Sequence, residues 1–330
     1  MEELIRKLVE AYGPSGFEDG VRDLIADEIR AHADEVRVDG LGNLIARKRG
    51  GDGRLKVMIA AHMDEIGVMV THITEKGFLR FTNIGGVFPP TLLGNRVQFA
   101  DGRLGVVAAE MPEDRGKVQG LDRHYIDVGA GRRQDSPVQV GAAAGFSRPL
   151  VVQDSRLTAK SMDDRIGCAV AVETLRRLEA TPHDVYFVFS VQEEVGTRGA
   201  QTAANALAPD VGIAVDVTLT GDMLGGPHLA MELGNGPAIK VKDGGMIAHA
   251  GLVRALRAAA ESHEIAYQME VLEGGSTDAR AMQVAGAGCA ASCISIPCRY
   301  VHTQSETVDA ADVENAVRLL VAFLAEPISL

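Results

Sequence analysis

A small set of histidines and carboxylates stands where short apolar runs end. His62-Met63-Asp64 follows the run Lys56 to Ala61, and Gln192-Glu193-Glu194 follows VYFVFSV at 185–191. Asp216 lies near the end of GIAVDV, His302 follows ISIPCRYV, and Asp163-Asp164 precede a helical pattern that begins at Ile166. Taken singly, each has an ordinary explanation. A strand-end histidine can be structural, an Asp pair before a helix can be an N-cap that exploits the helix dipole, and adjacent glutamates can be a solvated face. Together they are different. In an open α/β sheet the ligand crevice lies beyond the carboxyl ends of the strands, so these positions converge on one sheet edge.

Imidazole plus carboxylate without thiolate suits zinc, cobalt or manganese rather than an iron–sulfur cluster or calcium. The set exceeds the usual three protein ligands of one catalytic zinc. It fits two metals about 3.5–4 Å apart that share a bridging carboxylate, as in hydrolytic two-metal sites. In extended backbone, residues two apart point the same way, so Asp64 can take a hydrogen bond from the second ring nitrogen of His62. Glu193 and Glu194 are neighbours whose side chains diverge. One can bind metal while the other serves as general base toward the reacting water.

The elements that must carry these residues are legible around them. Leu4, Leu8 and Tyr12 recur at helical spacing until Gly13-Pro14-Ser15-Gly16 breaks the pattern, and Val21, Leu24, Ile25 and Ile29 mark a second helix. Short extended runs follow, and in Lys56 to Ala61 every residue after the lysine is apolar, as in the middle of a sheet. From Val68 to Asp154 β-branched pieces alternate with turn residues and no helical period appears, which predicts a small all-β domain. After Lys160, helices (166–178, 200–207, 252–262, 311–324) alternate with strands (185–191, 211–217, 292–296), which implies βαβ units. The expected fold class is α/β. A three-layer, mostly parallel sheet domain at 1–66 and 155–330 is interrupted by a small inserted β domain at 67–154.

Composition narrows the function. A chain of 330 residues, 46% hydrophobic and 24% charged, is long enough for about two domains. Its net charge of −12 argues against nucleic-acid or anionic-membrane partners. Without Trp and with 4% aromatics, it is poorly supplied for stacking bases or sugars. The first residues, MEELIRKLVEAYGPSGFED, lack the basic and apolar segments of a secretory signal, and nothing approaches about 18 consecutive apolar residues. The cysteines at 168, 289, 293 and 298 are not in paired C-x-x-C spacing and are expected to be reduced and buried, so the expected location is cytoplasmic.

AHMDEIG (61–67), AKSMDDRIG (159–167), VQEEVGTRGA (191–200), AVDVT (214–218) and RYVHTQSE (299–306) resemble the motifs of the M42 metallo-aminopeptidases. The resemblance also takes in PSGFED near the start, the inserted β domain and GGSTDA at 274–279. It implies that His62 binds one metal and His302 the other, that Asp163 bridges them, and that Glu194 and Asp216 each complete one coordination shell. It further implies Glu193 as the base that activates the water, Asp64 as support for His62, and a cis bond between Asp163 and Asp164. The implied activity is stepwise removal of N-terminal residues from peptides with a free N-terminus. The implied cofactors are two divalent ions, zinc first, then cobalt or manganese. Partners would be peptide substrates and further copies of the chain, dimers assembling into a tetrahedral dodecamer through the PDZ-like inserted domain. The stretch AAEMPEDRGKVQGLDRHYIDVGA lacks the family's Lys-Pro-x-His-Leu, and VQVGAAAGF has Ala where Asp usually follows the Gly.

Other motifs fail. HEIAY at 263–267 has Tyr267 where a zincin needs His, GAGRRQ at 129–134 lacks the last glycine of a dinucleotide fingerprint, and neither a Walker A nor a G-x-S-x-G sequence occurs. The histidines at 72, 124, 183, 228 and 249 have no strand-end context and are expected on the surface or in loops. Ser276, Thr277 and Asp278 fit a pocket-side loop and a turn before a helix equally well. Two rival functions are glycoside hydrolysis by paired carboxylates, which would leave His62 and His302 idle, and a metal-bound scaffold without activity.

Overall fold

The computed structural model describes residues 1–51, 55–111 and 119–330. Of the divergent stretch at 108–130, residues 112–118 therefore lie outside the described residues. The centre of the main sheet consists of the strands Asp184–Ser190, Lys56–His62, Val211–Thr218 and Ala290–Arg299, side by side and parallel. Toward both edges the pairing turns antiparallel. Leu44–Lys48 and Glu35–Val38 extend one side, and Glu306–Asp309, Arg156–Ala159 and Val151–Gln153 extend the other. Ala238–Lys242 lies antiparallel to Ala290–Arg299 and parallel to Gln268–Val271. The sheet is thus mixed, parallel at its centre and antiparallel toward its edges.

Alternation along the central strands builds the three layers. Val57, Ile59 and Ala61 pack on one face with Leu4, Leu8, Val21, Ile25, Val170 and Val317, which come from the helices Glu2–Glu10, Asp19–Ile29, Met162–Arg177 and Ala310–Ala325. Met58 and Ala60 face the other way, against Ala200, Ala203 and Met282 of the helices Arg198–Leu207 and Asp278–Gln283. Each buried Val, Ile or Leu is stabilising by roughly 1.5–3 kcal/mol. Every residue of Val211–Thr218 is buried, so this strand is held from both sides and carries Asp216 as a fixed passenger.

Six antiparallel strands between Gly67 and Phe146 close into a separate barrel: Gly67–Ile73, Leu79–Ile84, His124–Asp127, Leu104–Ala109, Arg96–Phe99 and Ala143–Phe146, in that order around it. Val68, Val70, Leu79, Phe81, Val97, Phe99, Val107, Ile126 and Phe146 fill its core. Closure leaves no free sheet edge among these strands.

Candidate metal centre

Five strand or helix ends deliver the residues singled out by their types, with Glu193 and Glu194 following Asp184–Ser190. His62 closes its strand opposite Ser190, the last residue of the neighbouring strand, and Asp216 lies two residues before the end of the next. Asp163 and Asp164 sit at the start of Met162–Arg177 with non-helical backbone, joined by a cis peptide bond. His302 follows Ala290–Arg299 in a left-handed conformation, φ +61°. His62 Nε2 lies 3.0 Å from Asp163 Oδ1 and 4.0 Å from Asp216 Oδ1. His302 Nε2 lies 3.4 Å from Asp163 Oδ2 and 3.3 Å from Glu194 Oε2. Candidate ligand atoms group as His62, Asp163 and Glu194, and as His62, Asp164 and Asp216. Asp164, however, already accepts from the amides of His62 (3.1 Å) and Gly167 (3.0 Å), which turns its carboxylate into a backbone brace.

Asp64 is fully buried behind His62. Its carboxylate accepts from the Ser15 hydroxyl at 2.6 Å and from the amides of Glu193 and Glu194 at 2.9 and 3.1 Å. His62 Nδ1 lies 3.1 Å from the Asp64 backbone carbonyl and 3.5 Å from its carboxylate. The main chain is thus the nearer acceptor, and either one orients the ring with Nε2 toward Asp163. Glu306 holds the opposite side, accepting from the amides of Asp163 (3.0 Å) and His302 (2.8 Å).

The charge balance of this cluster is unusual. Burial, reinforced by neighbouring acids, raises Asp216, Glu193 and Glu194 above the ordinary carboxylate range. Burial alone would also raise Asp163, but His302 and His62 reverse the effect and hold it low. Burial should strip the proton from both imidazoles, yet the surrounding carboxylates win. Asp163 and Asp64 hold His62 well above its usual value, and Asp163 and Glu194 hold His302 up at about 12. Among the described residues, Glu194 Oε1 is buried without a hydrogen-bond partner. A site whose acids repel one another and whose imidazoles retain protons is one that attracts positive charge.

The cluster opens on a cavity of about 960 Å³, whose walls include Val217, Leu219, Leu229, Val271, Leu272 and Val301. Glu193 lines it as well, and among the described residues no hydrogen bond holds its carboxylate. Ser276 and Thr277 satisfy both readings offered for them, since they line the cavity and Thr277 also caps Asp278–Gln283 by accepting from Ala279 at 3.3 Å. Asp278 is buried, takes the Ser190 hydroxyl, and is pushed by burial up to about 6.

Among the scattered histidines, His124 needs correction. His124 is buried in the strand His124–Asp127, a ring nitrogen 2.9 Å from the Gly120 carbonyl, whereas His183, also buried, and His228 stand in loops as expected, the first with a ring nitrogen 3.1 Å from the Glu326 carbonyl and the second lining the cavity. Such carbonyl partners leave no mark in the sequence. The cysteines are all free, and Cys168, Cys293 and Cys298 are buried as expected while Cys289 is half-buried. Among the described residues no helix is long and apolar enough to cross a membrane.

Residues 42–319 match the family described as M42 glutamyl aminopeptidase. The chain is similar to the lysyl aminopeptidase of Pyrococcus furiosus, 39% identical over 339 aligned positions that cover 98% of this chain and 96% of the relative. It is similar in structure to aminopeptidase APDkam598 from the archaeon Desulfurococcus kamchatkensis, at 43% identity and a TM-score of 0.95 over 99% of this chain and 94% of that one. The TET1 peptidase of Pyrococcus horikoshii, described as assembling into a tetrahedron or a large octahedral shell, superposes with a TM-score of 0.88 at 32% identity, over 99% of each chain. The chain belongs to the M42 glutamyl aminopeptidase family and is a metal-dependent aminopeptidase.

Proposed function

We propose that the protein removes N-terminal residues one at a time from peptides with a free α-amine, using a pair of divalent ions. His62 and Asp216 would hold one ion, His302 and Glu194 the other, and Asp163 both. The observation that carries this reading is Asp163, whose two carboxylate oxygens are directed to different imidazoles, Oδ1 to His62 and Oδ2 to His302. The orphaned Glu194 Oε1 and the excess of acid around the buried His62 ring and the half-buried His302 ring fit the same ions. Zinc is the expected ion, with cobalt or manganese as alternatives, because the donors are nitrogen and oxygen without sulfur. When bound, such ions supply Lewis acidity that lowers the pKa of a shared water and offsets charge developing on the substrate carbonyl oxygen.

The chain's own groups would do the rest. The Glu193 carboxylate takes the proton of the attacking water on one of its oxygens and returns it to the leaving amine nitrogen. Burial and the nearby acids Asp216 and Asp278 strengthen it as a base. Asp64 keeps His62 aimed and anchors the backbone of Glu193 and Glu194. The substrate α-amine, a cation, would be drawn to the same carboxylate cluster, which favours cleavage at the chain end over cleavage within it.

We further propose the division into a peptidase domain at 1–66 and 155–330 and an oligomerisation domain at 67–154, assembly of dimers into a dodecamer, and a cytoplasmic location. The assembly of the similar TET1 peptidase and the four unpaired cysteines support these readings. Chelation followed by a screen of aminoacyl-chromogenic substrates, with zinc, cobalt and manganese restored in turn, tests the function. Activity should vanish with the chelator and return with at least one metal. Activity that survives complete metal removal would point to a carboxylate hydrolase instead, and no aminopeptidase activity with any metal would favour the scaffold reading.

A further inference from the structure

Four consecutive backbone amides run through the segment that carries Glu193 and Glu194, and each donates to a side chain from a distant part of the chain. Val191 donates to Asn43 Oδ1 at 3.0 Å, Gln192 to Glu18 Oε1 at 3.0 Å, and Glu193 and Glu194 to the two oxygens of Asp64. The segment has left its strand, which ends at Ser190, so no sheet ladder satisfies these donors. Gln192 also adopts the left-handed region, φ +56°, which a residue other than glycine occupies only when its surroundings impose it.

Asn43 secures both ends of this loop. Its Nδ2 donates to Asp39 Oδ2 at 2.6 Å and to the Gly199 carbonyl at 3.0 Å, while the Gly199 amide closes back on the Val191 carbonyl at 2.9 Å. A Cβ at Gly199 would sit 2.3 Å from Asn43 Oδ1, so the close approach depends on glycine there. Glu18 immediately precedes Asp19–Ile29 but makes no side-chain capping bond to it, and the same oxygen that receives Gln192 also receives the Gly16 amide at 2.7 Å. Asn43 and Glu18 are both buried, and neither lines the cavity.

We propose that Glu18 and Asn43 are positioning residues for the reaction: they clamp the backbone on the N-terminal side of Glu193, so that Glu193 faces the reacting water while Glu194 is turned to His302. This rests on the reading of Glu193 as base and Glu194 as ligand. Glu18 acts as an acceptor of main-chain hydrogen bonds rather than through its charge, so glutamine, which keeps one oxygen, can replace it.

The test combines steady-state kinetics with amide hydrogen exchange. Glu18→Ala should lower kcat at least about tenfold with KM within about threefold, because a displaced catalytic group costs rate more than binding. Glu18→Gln should recover most of that loss. In the wild-type protein, with metal and after chelation, the amides of 191–194 should exchange as slowly as those of the adjoining strand, and Glu18→Ala should expose them. Unchanged kcat in Glu18→Ala, or fast exchange at 191–194 in the wild type, would overturn the proposal. If Glu18→Ala does not fold, the wild-type exchange and the Gln variant decide: slow exchange with an active Gln variant supports the clamp, and an inactive Gln variant refutes it. A fully active Glu193→Gln variant would remove the underlying reading and leave the amide protection as it is, so the two failures are distinguishable.

Discussion

Glu193 and Glu194 are adjacent in sequence and chemically alike, and their surroundings alone separate them. Glu194 faces His302 and Asp163, whereas among the described residues the Glu193 carboxylate has no hydrogen-bond partner and looks into the cavity. Glu193→Gln keeps volume and removes basicity. It should reduce kcat by roughly 10²–10⁴-fold, the usual worth of a positioned general base, with metal content and far-UV circular dichroism unchanged. A variant that cleaves at the wild-type rate would transfer the role elsewhere. The histidines and acids of the cluster could be picked out from the sequence because strand ends are few and their residue types unusual there. The bracing roles of Glu18, Asn43, Glu306 and Asp278 could not, because three of them act on backbone amides and the fourth on a hydroxyl, and no spacing records which distant donor a side chain will meet.

The elements add two constraints on the site. The turn after Leu79–Ile84 brings the barrel against the cluster, where a Cβ on Gly86 would lie 2.4 Å from His302 Nδ1. Gly86→Ala should therefore push His302 out of register, weakening metal retention and kcat/KM about 10–100-fold, while melting changes little because neither core is touched. Undiminished activity would show that His302 has room to adjust. The loop after Val211–Thr218 is tied to Ala290–Arg299, just ahead of His302, by two hydrogen bonds from Arg299 Nε and Nη2 to Asp222 at 3.1 and 2.6 Å. Burial would raise Asp222, but Arg299 overrides it and lowers the carboxyl to about 2.

Asp222 titrates near 3.9 when unfolded, so the pair stabilises in full above about pH 4 and its contribution fades as pH falls toward 2. Arg299→Met should cost about 1–2 kcal/mol at pH 7, allowing for partial exposure, and roughly half of that at pH 3. A loss that is constant across this range in denaturant titrations would exclude the ion pair as its source. Long apolar strands and periodic helices were legible because burial on two faces or one stripe dictates their pattern. The edge strands Val151–Gln153 and Gln268–Val271 were not, being three and four residues long and partly exposed.

Across the whole molecule, one sheet edge collects side chains from positions 62 to 302, and the barrel closes over its rim at Gly86. The order of strands could not be deduced from local pattern, since Lys56–His62 lies between Asp184–Ser190 and Val211–Thr218, which follow it by well over a hundred residues. On the proposed reading, what would convert this topology into a catalyst is a pair of cations sharing Asp163. Metal content of the purified protein, loaded with zinc and dialysed, measures that most directly. About two zinc ions per chain are expected in the wild type and about one in His302→Ala, as for a two-metal site that loses one terminal ligand. A wild-type content of one or none under saturating zinc, or a His302→Ala variant that still holds the full complement, would contradict it.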